Sequence, residues 1–520
     1  MVDTAVTVSR SAHGGGRPVA VGDARHAQRP VGETVGAPRA TPAGGRRLVQ
    51  RLLGDVRPAY LPVLLTYFCY GASGITGVAL VFFQKDVLAL TPAEAARIAF
   101  WLGLPWSMKM VAGVASDVYP IAGSRRAAYL VLGTLATLAG YAALVTVVQS
   151  PGTYLVASLL VAIGYMVQDV VADALSVEVA RTEAEIGQIQ ALGRMALLAG
   201  AISVGYLSGW VAGRIGSRGT FALAMALPVL VAVGALSVHD GARPRPRPEA
   251  PGPLGGGRAR VVLAVGLSYA AFGILLEAAR VPFGQELVLV VSAGLIGLLF
   301  KRVGISRPVA VAAIVIFLFR ATPSVGQGYS YWAIDRLGFD PEFLGILAQV
   351  SSVLGLVGLL VFRKSIVTRP VSVTFLWVMV AGTLLYLPNI GLFYGLHDWL
   401  GISARTLAFI DTTISAPLGQ LTMVPMLVLI ARSAPPGAEA TMFAIMASLM
   451  NLALSASELF TRHLNTAFAV TQQDYSNLGS LMLTVTGLGL VPLLALPLLR
   501  REERAGVPKT ATAPVATPPR

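Results

Sequence analysis

From Tyr60 onward the chain alternates long apolar runs with short polar breaks. The runs fall near 60–83, 97–116, 127–148, 153–177, 190–212 and 220–238, and after a basic, Pro-rich stretch near 309–333, 342–362, 371–391, 405–431, 439–461 and 478–499. Each is close to the roughly 20 residues that an α-helix needs to cross a bilayer. Between the two sets of six lie two shorter runs, 261–276 and 284–300, of about 16 residues each, which predict a membrane hairpin. The pattern predicts an all-α integral membrane protein with about 14 spans. Its expected parts are a disordered tail (1–57), a six-helix half (58–238), a linker (239–260), the hairpin (261–300), a second six-helix half (301–500) and a second disordered tail (501–520).

Composition narrows the chemistry. Charged residues make up 13% and hydrophobic residues 55%, about half the charge that a soluble domain uses to coat its surface. The single cysteine, Cys69, sits inside an apolar run, which argues for packing rather than thiol or metal chemistry. The histidines (His13, His26, His239, His397 and His463) fall outside the well-defined spans, and no set of nucleophile, base and orienting group emerges. No GxxxxGK[ST] occurs, so nucleotide hydrolysis does not supply a motor. The expectation is a protein that is not an enzyme and holds no cofactor or metal.

The net charge of +14 would suggest nucleic acid for a soluble protein, but here it is a topology signal. With loops assigned alternately, 29 of the 40 basic residues fall on one side and eight on the other. The positive-inside rule makes the rich side, with both termini, cytoplasmic. The expected location is a cell (inner) membrane if the source is bacterial, or otherwise an organelle membrane, with the bilayer as a partner and nucleic acid excluded.

A short repeat supports two related halves. Asp86-Val-Leu88-Ala-Leu90-Thr-Pro92 follows the first span, and Asp335-Arg-Leu337-Gly-Phe339-Asp-Pro341 follows the first span of the second half, at an offset of 249 residues. Two such halves enclosing a central site are the plan of many secondary transporters.

The candidate site rests on charges inside spans. Asp169 and Asp173 are four residues apart and share a helix face, where each carboxylate costs roughly 2.5 to 3.5 kcal/mol if charged. Three uses are open: carrying a proton, accepting hydrogen bonds from a ligand, or structural pairing with Lys109 or Arg194. Lys109, Arg194 and Arg320 are the cations inside spans, suited to an anionic substrate group, with pairing to Glu178 the structural alternative for Arg194. Tyr70, Trp106, Tyr329, Tyr331 and Trp332 share these spans and offer faces for a flat ring, and Asp411, Glu458 and Glu277 are further buried-acid candidates. Near the cytoplasmic ends, Gly113 is expected to bring the second and third spans together and Asp117 to meet the N-terminus of the next helix. Arg125 and Arg126 are expected among lipid headgroups, and Glu178 with Arg181 as a helix-end salt bridge or gate.

One ordered set of residues carries a family resemblance. It comprises Leu104-Pro105-Trp106-Ser107-Met108-Lys109, Gly113, Ser116-Asp117, Pro120-Ile121, Gly123, Arg125-Arg126 and Tyr129, then Asp173 through Glu178 to Arg181. Ala321-Thr322-Pro323, Leu337-Gly338-Phe339, Pro341 to Gly345, Pro436-Gly437, Glu439-Ala440-Thr441 and Asn451 continue it. The chain thereby resembles the folate–biopterin transporter family, a branch of the major facilitator superfamily, over about Tyr60 to Leu499. Met110, where that family usually has proline, and the extra hairpin are departures. The resemblance implies secondary transport of folate or a pterin by alternating access, with proton symport expected. It adds Asp411 as a site acid and Glu439 to a gating set of Asp117, Arg125, Arg126, Glu178 and Arg181. Rival readings are a facilitator-fold assembly factor without transport activity and a carrier of another anionic heteroaromatic solute. Buried charges argue against a pure scaffold.

Overall fold

The computed structural model describes residues 56–238, 256–303, 306–368, 370–419, 425–426, 428–430 and 439–505. The expected N-terminal tail up to residue 55, most of the linker and the residues beyond 505 lie outside these. The helices of the first half are α1 (Pro58–Val87), α2 (Pro92–Val118), α3 (Ala127–Thr146), α4 (Pro151–Val179), α5 (Glu183–Ala224) and α6 (Ala226–Ala235). The hairpin is α7 (Gly256–Ala278) and α8 (Gly284–Val303). The second half holds α9 (Arg307–Arg320), α10 (Gln327–Leu337), α11 (Pro341–Thr368), α12 (Val371–Phe393), α13 (Ala404–Gly419), α14 (Glu439–Ala467), α15 (Leu478–Leu488) and α16 (Leu496–Ala505). Among the described residues, 11 helices are long and apolar enough to cross a membrane. The two expected spans 190–212 and 220–238 are two helices that join at Gly216, whose φ of 69° breaks the helix. The chain runs along α1 from Glu185 beside Tyr60 to Gly200 beside Phe68, and returns from Phe221 beside Phe83 to Gly234 beside Pro62.

Local chemistry sets the helix starts. Thr91 and Glu94 form a reciprocal capping box ahead of α2, with Pro92 in its first turn, and Ser150 with Thr153 caps α4 ahead of Pro151. Both satisfy amide N–H groups that a helix start leaves unpaired.

Two spans are broken. Pro105 lies inside α2, and the helix is interrupted at Met108, so that Lys109 opens a second segment. The expected span 309–333 is likewise not continuous. It stops at Arg320 and restarts at Gln327, across a stretch containing Pro323 and Gly326. Side chains of α14 satisfy the backbone freed there: Ser457 donates to the Thr322 carbonyl (2.6 Å), Thr461 accepts from the Ser324 N–H (2.9 Å), and Asn465 donates to the Val325 carbonyl (3.2 Å). Non-helical backbone is tolerable inside a bilayer only when it is paired in this way.

The halves meet where glycine removes side-chain bulk. A Cβ on Gly209 of α5 would lie 2.0 Å from the Pro341 carbonyl oxygen and 2.7 Å from Gly345 Cα of α11, so only hydrogen fits there. Gln349 Oε1 accepts from the Tyr206 N–H across this seam (2.9 Å). On the other flank Asn451 of α14 donates to the Trp106 carbonyl (3.0 Å).

The hairpin follows α2 along its length. Gly266 faces Val111, Gly273 faces Trp101, and Glu277 pairs with Arg97 (3.0 Å) while accepting from Trp101 Nε1 (2.9 Å). At its tip Gln285 donates to the Arg97 carbonyl and accepts from Arg462, each at 2.8 Å, so the tip touches both halves.

Two expected boundaries move. Helix α7 begins at Gly256, inside the expected linker, and α16 runs to Ala505, inside the expected C-terminal tail. The second shift has a cause in Glu502, which pairs with Arg307 (2.7 Å), and Glu503, which accepts from the Ser372 N–H (3.0 Å) and hydroxyl (2.5 Å).

Candidate functional site

Helix α4 carries the two central acids one turn apart, and α1, α2 and α5 of the same half supply their partners. Lys109, first in the second segment of α2, donates to Asp169 and lies 5.0 Å from the centroid of the Trp106 ring. Asp169 is buried. The Tyr70 ring packs at 5.4 Å from Trp106 and 5.8 Å from Tyr165, so aromatic faces adjoin the ion pair. Asp173 accepts from the Tyr67 hydroxyl, and Gln190 Nε2 sits 3.5 Å away while donating to Ser176 Oγ (2.7 Å). Tyr67 and Gln190 escaped the sequence reading. The signal was slight, since a tyrosine or glutamine in an apolar run is ordinary, and only packing identifies the acid it meets.

Arg194 corrects one expectation. Glu178 is held by Arg126, while Arg194 is exposed and makes no hydrogen bond or ion pair among the described residues. It does act electrostatically on Asp169 and Tyr67.

The expected latch is rearranged. Arg126 is not among headgroups. It is buried at the N-terminus of α3, donating to Glu178 (2.6 and 2.9 Å), Asp117 (2.6 Å) and Ser116 Oγ (2.8 Å). Asp117 therefore meets a guanidinium rather than a helix terminus, because the chain reverses tightly just before Arg126. Ile121 and Ser124 exchange two 2.9 Å backbone bonds around Ala122 and Gly123, both at positive φ (50° and 80°), the left-handed conformation for which glycine is suited. Arg125, next in sequence, stays exposed. Glu178 is held by Arg126 and the Arg181 N–H donates to Glu185, and no bridge between Glu178 and Arg181 is seen among the described residues. Gly113 faces Val170 of α4 at an ordinary 3.7 Å rather than bringing α2 onto α3. Glu439 opens α14, and its side chain lies outside the described residues.

The second half holds the remaining candidates apart from this cluster. Arg320, ending α9, donates to the Met450 carbonyl (3.2 Å). Asp411 accepts from Asn389 (2.8 Å) through one oxygen, while the other is buried with no partner among the described residues. The Asp411 charge acts on the Tyr329 and Tyr386 phenols. Both tyrosines line a cavity of about 510 Å³ beside the break between α9 and α10, with Thr322, Ser324 and Thr383.

At the end away from Arg126 the halves are tied together. Lys85 pairs with Asp335 (2.6 Å) and with Asp86 (3.2 Å), so one ammonium joins the two aspartates of the repeat. Tyr475 donates to Asp335 (2.7 Å), and Gln472 donates to the Leu90 carbonyl (2.7 Å). Nearby Arg405 donates to Asp340 (2.7 Å). Burial opposes ionisation of Asp340, but the Phe343 N–H and Arg405 outweigh it and hold the carboxyl below its usual range.

Three comparisons set the chain as a whole beside known proteins. A folate-biopterin transporter from Synechocystis sp. (strain ATCC 27184 / PCC 6803 / Kazusa) is 32% identical over 456 residues, covering 86% of this chain and 83% of that protein. Probable folate-biopterin transporter 4 of Arabidopsis thaliana is 24% identical over 470 residues, covering 85% and 95%. Among solved structures, the nucleoside transporter NupG superposes with a TM-score of 0.59 at 12% identity, covering 85% of this chain and 98% of its own. A POT family transporter in complex with 5-aminolevulinic acid gives 0.61 at 13%, covering 85% and 96%. The last two carry the fold alone. The model of the BT1 family matches residues 71–509, and with the 32% identity extending over most of both chains, this multi-pass membrane protein belongs to the BT1 family.

Proposed function

We propose that the protein carries folate or a related pterin across its membrane by alternating access, coupled to protons. Family membership supports transport rather than catalysis, and the names of the Synechocystis and Arabidopsis relatives supply the substrate class. The observation that carries the mechanism is the pair of half-buried Lys109 with buried Asp169 at the break in α2. It is flanked by Asp173 and by the Tyr70, Trp106 and Tyr165 rings. Charges this deep are costly unless they line a pathway, and a discontinuous helix beside them is a common feature of transporter sites.

In this reading Lys109, Asp169, Asp173 and Arg194 form the first-half side of the site, with Arg320 and Asp411 on the second-half side. Asp117, Arg126 and Glu178, with Arg125, Arg181 and Glu439, gate the Arg126 end. That end is cytoplasmic with both termini, the chain crosses 14 times as six, two and six spans, and the Lys85–Asp335 tie closes the opposite end. The reading is tested in proteoliposomes with labelled folate and biopterin, with and without a pH gradient. Asp169→Asn should keep exchange down a labelled gradient while losing accumulation driven by pH. Uptake no greater than in empty liposomes would remove the transport reading. Wild-type accumulation by both Asp169→Asn and Asp173→Asn would remove the proton role of the pair.

A further inference from the structure

We propose that Lys109 is shared between Asp169 and a carboxylate of the substrate, so that an anionic substrate drives a proton onto Asp169 as it binds. This inference rests on the folate or pterin reading. The groups that face Asp169 are Lys109 from α2, Asp173 from its own helix, Arg194 from α5, and the Tyr67 and Tyr70 phenols from α1. The two carboxylates and two cations balance to zero charge. The one substrate carboxylate that takes Lys109 from Asp169 leaves one excess negative charge in this cluster, and taking up one proton removes it, a second carboxylate on the ligand being left outside the cluster.

The geometry selects the acid that takes the proton. Asp173 keeps its Tyr67 hydroxyl whatever Lys109 does, whereas Lys109 is the one ion-pair partner of Asp169 among the described residues. Access points the same way: the Lys109 side chain is 35% exposed and that of Asp169 10%, so a ligand meets the ammonium first. The step balances. A lone pair on an Asp169 oxygen takes a proton from hydronium or a buffer acid in the solution, which becomes water or the conjugate base, and Lys109 remains an ammonium and donates to the substrate carboxylate. On release, Asp169 gives the proton up and recovers Lys109. A pterin with no carboxylate makes no such demand.

Calorimetry on the purified full chain in detergent, in two buffers of different ionisation enthalpy, tests this with folate, p-aminobenzoylglutamate and biopterin. Folate and p-aminobenzoylglutamate should each bind with uptake of about one proton, and biopterin with about none. Asp169→Asn should bind folate without proton uptake. Lys109→Gln should weaken folate and p-aminobenzoylglutamate by about tenfold or more while leaving biopterin within about threefold. Because the comparison among ligands is made on the wild-type chain, a poorly folding variant does not blunt it. Folate binding without proton uptake, or equal uptake with biopterin, would overturn the sharing while leaving the substrate reading intact. Failure of all three probes to bind would overturn the substrate reading and this inference with it.

Discussion

On the alternating-access reading, Lys85→Gln should favour opening of the end at which Lys85 ties the two halves. The ammonium reaches Asp335 of the other half at 2.6 Å, with the two side chains 11% and 32% exposed. Exposed ion pairs contribute about 0.2 to 1 kcal/mol and hydrogen bonds to charged groups about 1.5 to 3. A pair this sheltered falls between, at about 1 to 2 kcal/mol. The neighbouring bonds do not depend on the substitution in the same way, since Asp86 lies on the same strand of chain as Lys85 and Tyr475 on the same half as Asp335. On that reading the cross-half contact is made only in the closed arrangement, and its loss enters the conformational equilibrium in full, shifting it about 5- to 30-fold toward opening. Spin labels at Val87 and Arg336 would report the separation by pulsed dipolar spectroscopy. The single native cysteine, Cys69, is fully buried and easily replaced by alanine. The exchanged pair Lys85→Asp with Asp335→Lys should restore much of the short-distance population, because the new lysine faces two carboxylates. An unchanged distance distribution in Lys85→Gln, or an exchanged pair no closer to wild type than either single change, would refute the account.

Arg126→Gln strips Glu178, Asp117 and Ser116 of their shared donor and should cost about 1 to 3 kcal/mol, seen as a lower midpoint of thermal unfolding in detergent. Arg125→Gln, exposed and one residue away, should stay within about 0.5 kcal/mol of wild type. Gly209→Val places a side chain on the Pro341 carbonyl and should force α5 from α11, lengthening the same label distance as Lys85→Gln. The folded carboxyl of Asp340 lies below its unfolded value, so its contribution is complete above about pH 4 and is lost as pH falls through the folded value. Asp340→Asn should therefore flatten the acid limb of a stability-against-pH curve recorded by tryptophan fluorescence.

The sequence alone determined the solvent, the helical class, the position of most spans and the acids worth attention. Each of these follows from a local quantity. Twenty apolar residues cross a bilayer wherever they occur, Thr91 and Glu94 cap α2 without outside help, and a carboxylate at position 169 is expensive whatever surrounds it. Pro105 and Pro323 were visible, yet the continuous span 309–333 was broken because the side chains of α14 that satisfy the freed backbone lie more than 130 residues away. Partner choice was likewise decided by the tertiary structure. Arg126 rather than Arg194 holds Glu178, Lys85 of the other half meets Asp335 beside Tyr475 of its own, and Tyr67 holds Asp173. The cost of burying a charge states that a partner is required and is silent on which one. That answer depends on how each helix is rotated and how closely it crosses the next, which is fixed by distant close approaches such as Gly209 against Gly345 and by a reversal at Ala122-Gly123 that turns one arginine inward and its neighbour outward.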